Sequence, residues 1–306
     1  MSCFVSRPIR GLRVIEFPYH RDSRQVVRRT SAWRELDDFR LCGVYCCSDV
    51  SVSLQEIRYP EDNYPADGSL NLLAYGDICR RIAEVTETAI ISGEGVILVG
   101  GDCRQIPGLL GGISRALGEN ASVGLVWLDA HGDFNTPETS ISGNYGGMPL
   151  AVCAGLCCEE WRSELGKPVA CGNILLSDAR SLDSAEQDNL VRHGVVHLDT
   201  ESFCSEAWVE AVNALAQRTD ALLLHIDMDL LAAEYVPAHT MPEAHGPDIH
   251  IVMENIRTVM RTGRVLGFSV QSVFHDTGKR EQDIDNLSAM RLLGAGIESW
   301  EQTPAV

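Results

Sequence analysis

Val123-Gly-Leu-Val-Trp-Leu-Asp129-Ala-His131-Gly-Asp133 passes from an apolar run straight into three potential metal ligands at alternate positions. A continuous run of this kind suits a strand buried on both faces of a parallel sheet, which has no solvent side to alternate towards. Extended chain points alternate side chains the same way, so a strand ending within this segment can aim Asp129, His131 and Asp133 at one place. The same pattern occurs on either side. Residues 95–99 lead into Gly100-Gly101-Asp102-Cys103, and residues 222–226 lead into Asp227-Met-Asp229. In open parallel sheets ligands bind beyond the carboxyl ends of the strands, which is where all three polar segments fall.

Working outward, apolar runs at 12–17, 41–46, 95–99, 123–129, 173–177, 195–197, 221–227 and 265–270 are expected strands. Helical periodicity lies between several of them, most clearly over 72–92, 205–218, 249–261 and 283–296. This alternation predicts a three-layer α/β/α fold with a mostly parallel sheet. With no Pro/Gly/Ser-rich linker and no internal repeat, residues 1–306 are expected to form one domain. The arginine-rich segment 21–34 is read as a solvated face.

The net charge of -18 excludes a nucleic-acid partner and disfavours anionic membranes, since polyanion binding needs a positive surface. No apolar run is long enough to span a bilayer. The N-terminus lacks the apolar core of a secretory signal, so the cytoplasm is the expected compartment, a mitochondrial presequence being the alternative. Eleven cysteines without framework spacing are read as reduced thiols. The clusters Cys42/Cys46/Cys47 and Cys153/Cys157/Cys158 are expected to pack in the core.

A lone Asp at a strand end is usually a cap or turn former, and Asp102 is read that way. Asp227 and Asp229 differ, because they follow the buried-type run Ala-Leu-Leu-Leu-His-Ile, where charge is costly unless paired. Carboxylates plus imidazole form the ligand mix of Mn, Zn, Fe or Co, and five such groups can hold two divalent ions sharing a water.

Asp-Ala-His-Gly-Asp-Phe-Asn-Thr-Pro (129–137), Ser-Gly-Asn-Tyr-Gly-Gly-Met-Pro (142–149) and His-Ile-Asp-Met-Asp (225–229) resemble the signature segments of arginases and agmatinases, the ureohydrolase family. The resemblance implies an eight-stranded parallel sheet between helices, two divalent ions (usually Mn2+) and a homo-oligomer, a trimer or hexamer. It makes Asp129 and Asp227 bridging ligands, gives Asp133 to one metal, and gives His131 and Asp229 to the other. The family's ligand histidine falls at Cys103, whose thiol would favour Fe, Zn or Co more than histidine does. Asn135, Ser142 and Asn144 would hold an α-carboxylate, and Asp183 and Glu186 an α-ammonium. By themselves those two acids read equally as first-turn residues of a helix.

Three positions depart from the family pattern. The shuttle histidine is Gly146, an Asp-Pro is Ala232-Ala233, and the guanidinium-pairing glutamate falls at Ser272, with Gln271 or Asp276 as possible substitutes. Cysteine at 103 with glycine at 146 resembles the Nω-hydroxy-L-arginine amidinohydrolase branch of D-cycloserine biosynthesis. The expected activity is therefore hydrolysis of an amidino C–N bond on a modified amino acid. A metal-bridging hydroxide would attack, and Asp133 would relay the proton. The alternatives are hydrolysis of a non-guanidine C–N bond, or a catalytically degenerate subunit.

Overall fold

The computed structural model describes residues 9–18, 31–46, 50–58, 72–162, 166–273 and 281–301. Residues 21–30 of the arginine-rich segment, Cys47 and Asp276 lie outside them. Eight strands form one sheet: β1 (Gly11–Glu16), β2 (Ser51–Glu56), β3 (Glu94–Val99), β4 (Val123–His131), β5 (Ile174–Ser181), β6 (Val196–Leu198), β7 (Ala221–Asp227) and β8 (Val265–Gln271). Their order is β2-β1-β3-β8-β7-β4-β5-β6, and every pairing is parallel.

Helices cover both faces, as the apolar strands require. On one side Glu206–Arg218, Ile249–Met260 and Gln282–Glu301 pack over Val126, Leu128, Leu224 and Phe268. On the other, Leu72–Ile91 and Ile106–Leu117 pack over Leu98, Leu125, Trp127 and Leu223. Three layers result. Because parallel strands all end at the same edge, the adjacent strands β3, β8, β7 and β4 deliver their C-terminal loops side by side. No helix among the described residues is long and apolar enough to cross a membrane.

The expected strand at 41–46 is not one. Leu41 ends a helix (Ser31–Leu41), Gly43 turns the chain at φ 69°, and Val44–Cys46 form a 3-10 turn. Val44 and Tyr45 supply the apolar signal by packing into the core, Tyr45 edge-on to Phe39. The strand itself follows at Ser51–Glu56, at the sheet edge, where its half-exposed polar residues carry no apolar run to read. Cys153 is buried in the core and the half-buried Cys157 and Cys158 pack against it, whereas Cys42 and Cys46 are exposed, so core packing holds for the second cluster but not for the described cysteines of the first.

The layer beneath the site depends on close helix contact. A Cβ on Gly112 would meet the Ala83 carbonyl oxygen at 2.6 Å and crowd Thr86, and one on Gly108 would meet the Cys79 carbonyl oxygen at 2.6 Å. Helices Leu72–Ile91 and Ile106–Leu117 can therefore approach only because these positions lack side chains. Gly112→Ala should destabilise by roughly 1–3 kcal/mol despite its better helix propensity, because overpacking against backbone outweighs it. Gly294→Ala, whose methyl group meets nothing within 4 Å, should stabilise by about 1 kcal/mol. Urea unfolding of both variants checks the pair, and equal effects would contradict the packing argument.

Candidate metal centre

The site is built at the ends of those four central strands. After β3, Gly100 and Gly101 adopt φ of 77° and 72°, and the turn carries Cys103 inward. A Cβ on Gly100 would collide with the Phe17 carbonyl, so the turn needs glycine. Asp102 caps the following turn, accepting from Arg104 N–H at 3.0 Å, and Gln105 closes a capping box. Its carboxylate also engages the Arg104 guanidinium. The capping role expected of Asp102 is the one observed.

From β4 come Asp129, His131 and Asp133; from β7 and the turn after it come Asp227 and Asp229. All four carboxylates are buried. Three of them, Asp129, Asp227 and Asp229, are held by donors. Asp129 accepts from Trp127 Nε1–H (3.0 Å) and His131 N–H (2.7 Å). Asp229 accepts from Ala130 N–H (3.2 Å), and Asp227 Oδ1 from Asp229 N–H (3.1 Å). Asp227 Oδ2 accepts from Cys103 Sγ at 2.8 Å and Ser272 Oγ at 2.6 Å. Asp133 sits at φ 49°, in a bend where its carbonyl accepts from Leu150 N–H (2.9 Å) and Ala151 N–H (3.2 Å).

His131 Nδ1 lies 3.0 Å from Asp229 Oδ2, and Nε2 lies 3.3 Å from Glu243 Oε1. The strand-end alternation thus brings His131 to the carboxylates, and Glu243 fixes the opposite side of its ring.

Electrostatics follow from crowding acids away from water. Burial and then the neighbouring Asp129 push Asp133 well above the carboxylate range. Asp227 rises to about 6, through burial and then Asp229. Burial would lower the His131 pKa, but hydrogen bonds and charge from Asp129 and Asp229 overcome it and raise it. The Cys103 thiol is raised by burial and then by Asp227. His225, wholly buried, is lowered to about 3 by burial and is neutral.

This donor set fits divalent cations. Potential ligand atoms of Asp129, His131 and Asp229 lie within 4.8 Å of one another, as do those of Cys103, Asp129 and His225, with Asp129 common to both groups. Four buried acids facing one imidazole and one thiol carry an excess of negative charge that cations would offset.

The floor opens into a cleft of about 380 Å3. Asn135, Ser142, Asn144, Gly146, Asp183 and Glu186 line it. Glu186 accepts from Phe134 N–H at 2.8 Å and rises to about 7, chiefly through burial. Asp183 is both the N-cap position of the helix Ser184–His193 and a wall of the cleft, 3.4 Å from Asn135 Nδ2. Glu186 lies in the first turn of that helix, so the helix-terminus placement of both acids is observed, and both also line the cleft. Ser272 also lines the cleft, at φ 62°. Gln271 does not reach it: the side chain is wholly buried and donates to the Gly100 carbonyl at 3.0 Å.

The model of the arginase family matches residues 20–282. The chain belongs to the arginase family. It is 27% identical over 203 residues to the arginase of Entamoeba histolytica, covering 65% of this chain and 68% of that one. The crystal structure of that arginase with L-ornithine aligns with TM-score 0.81 and 22% identity over 95% of this chain and 99% of that one. The arginase of Bacillus caldovelox is 29% identical over 194 residues, 60% of this chain, and this match spans 64% of the relative's length. Formimidoylglutamase from Bacillus subtilis shares the fold, with TM-score 0.73 and 13% identity over 97% of this chain and 89% of that one.

Against the family pattern, Cys103 occupies the floor beside Asp227. Trp127, His225 and Glu243 stand around this site but were given no role by the motif reading. The first two were legible in principle, since each lies two residues before a floor aspartate on the same face of its strand. Glu243 lies on a loop and has no such periodicity.

Raised carboxylate values mean that the folded metal-free chain holds protons which the unfolded chain has released. The stability these acids contribute is then fully present at low pH and is lost as pH rises through the folded values of about 6 and 7 for Asp227 and Glu186. In excess chelator the midpoint temperature should fall between about pH 5 and about pH 8, and saturating divalent cation should flatten that fall. Identical pH profiles with and without cation would contradict metal binding at these acids.

Proposed function

We propose that this chain hydrolyses a C–N bond of an amidino-type group on a modified amino acid, Nω-hydroxy-L-arginine or a related guanidino compound. One observation carries the reading: a cation-demanding floor and a rim able to grip an amino acid share one cleft. Cys103, Asp129, His131, Asp133, Asp227 and Asp229 would hold two divalent cations, manganese first, with iron, zinc or cobalt admitted by the thiol. When bound, such a pair acidifies water towards neutral pH and so supplies the nucleophile.

The chain's own residues do the rest. Asn135, Ser142 and Asn144 bind the α-carboxylate, and Asp183 and Glu186 the α-ammonium. Asp133 takes the proton released as water adds to the amidino carbon and returns it to the leaving nitrogen. The bond from that carbon to the chain nitrogen breaks, so Nω-hydroxy-L-arginine and water give L-ornithine and hydroxyurea.

Ser272 favours a less basic group than plain guanidinium. Neither it nor Gln271 carries a carboxylate, and their polar groups are engaged, the Ser272 hydroxyl donating to Asp227 and the Gln271 amide to the Gly100 carbonyl. A guanidinium keeps its proton up to about pH 12 or beyond, whereas an N-hydroxyguanidine sheds it far more readily and needs less pairing. The same observation favours a second reading, hydrolysis of a non-guanidine C–N bond.

Protein loaded with manganese should bind about two ions per chain. It should release hydroxyurea from Nω-hydroxyarginine faster than urea from arginine, and leave agmatine, which lacks the α-carboxylate, nearly untouched. Formamide from formiminoglutamate alone would replace this reading with the second, and less than about one ion per chain would remove both. Asp183→Asn should raise KM roughly tenfold with kcat little changed, because it weakens a charge-assisted contact to a part of the substrate that does not react.

A further inference from the structure

His225 lies two residues before Asp227 on β7, so both side chains leave the same face of the strand. Parallel pairing sets Trp127 of β4 and Ser269 of β8 on either side of it. The ring is wholly buried, its centroid 4.1 Å from that of Trp127. Nδ1 is 2.9 Å from Ser269 Oγ, and Nε2 is 3.2 Å from Cys103 Sγ. Sγ is in turn 2.8 Å from Asp227 Oδ2.

One assignment of protons satisfies all these contacts. Ser269 donates to Nδ1, Nε2–H donates to sulfur, and the thiol donates to Asp227. The chain of donors runs from the sheet interior outward to the site floor and ends on a carboxylate. A neutral ring adds no charge to that floor. Its contribution is directional, a single N–H aimed at sulfur and fixed by the Ser269 hydroxyl.

We propose that His225 is the positioning residue of a Cys103 thiolate that ligates the metal, an inference that rests on the ligand role given to Cys103 above. A cation at the site takes the place of the thiol proton. Asp227 then loses its S–H donor, while sulfur keeps the N–H from His225. That N–H draws charge from the thiolate, weakens its donor strength and holds its direction. A soft ligand becomes compatible with a floor whose other donors are carboxylates and one imidazole. The two cation positions are consequently unequal: one has a hydrogen-bonded thiolate, the other the His131 imidazole backed by Glu243.

The full chain loaded with cobalt(II) provides the test, because a thiolate bound to cobalt gives a near-ultraviolet charge-transfer band. The wild-type protein should show this band and Cys103→Ser should not. His225→Leu removes the N–H donor, so the band should move to lower energy, and preference for cobalt over manganese should rise roughly tenfold. His225→Gln, which can place an N–H near the former Nε2, should return both towards wild type. If His225→Leu does not fold, Ser269→Ala, which frees the ring tautomer, should shift the band in the same direction by less.

A band at one energy in the wild-type, His225→Leu and Ser269→Ala proteins would overturn the proposal and leave Cys103 a ligand. Loss of one nitrogen neighbour from cobalt in His225→Leu, read by X-ray absorption, would also overturn it, since His225 would then be a ligand itself. No band in the wild type would overturn both this proposal and the ligand role of Cys103. The hydrolase reading would then rest on metal count and product analysis.

Discussion

Four carboxylates, Asp129, Asp133, Asp227 and Asp229, are withdrawn from water at the ends of two adjacent strands. Their mutual repulsion is the constraint around which the C-terminal edge of the sheet is arranged. Backbone N–H groups of Ala130, His131 and Asp229, the Trp127 indole and the Ser272 hydroxyl all donate to them. These hydrogen bonds satisfy oxygens but supply no full positive charge. His131 supplies at most one, and the nearby guanidinium of Arg104 is engaged with Asp102. Divalent cations are the natural completion of such a set.

The sheet order makes the convergence possible. β8 and β7 lie between β3 and β4, so loops far apart in the chain open at one edge. Cys103 arrives after β3, Ser272 after β8, Asp227 on β7 and Asp129 on β4. Helix packing on both faces excludes water from below, and this gives the floor its electrostatic character. The rim is different: Ser142 and Asn144 are exposed and Asp183 is partly so.

Two substitutions against the family pattern act together on the floor. In the resemblance read from the sequence, Cys103 stands where the family pattern has an imidazole, and Ser272 where it has a carboxylate. Both then donate to Asp227 Oδ2. His225 enters this arrangement from below, within reach of the thiol.

The strands that carry the site were readable from the chain because burial on both faces leaves an uninterrupted apolar run. Ligand alternation in Asp129–His131–Asp133 and Asp227–Asp229 follows from the two-residue period of extended chain. The edge strand Ser51–Glu56 was not readable, since half-exposed positions carry polar residues, and Val44–Tyr45 mimicked it by burying a short turn. Sequence alone therefore determined the layered parallel fold and the acidic floor, because local periodicity and motif chemistry encode them. Tertiary structure decided what stands behind the floor. Strand pairing set His225 between Trp127 and Ser269 with its ring against Cys103, a loop brought Glu243 to His131, and the bend at Ser272 joined its hydroxyl to Asp227. Such contacts join residues as much as 122 positions apart, as for Cys103 and His225, and no local pattern records them.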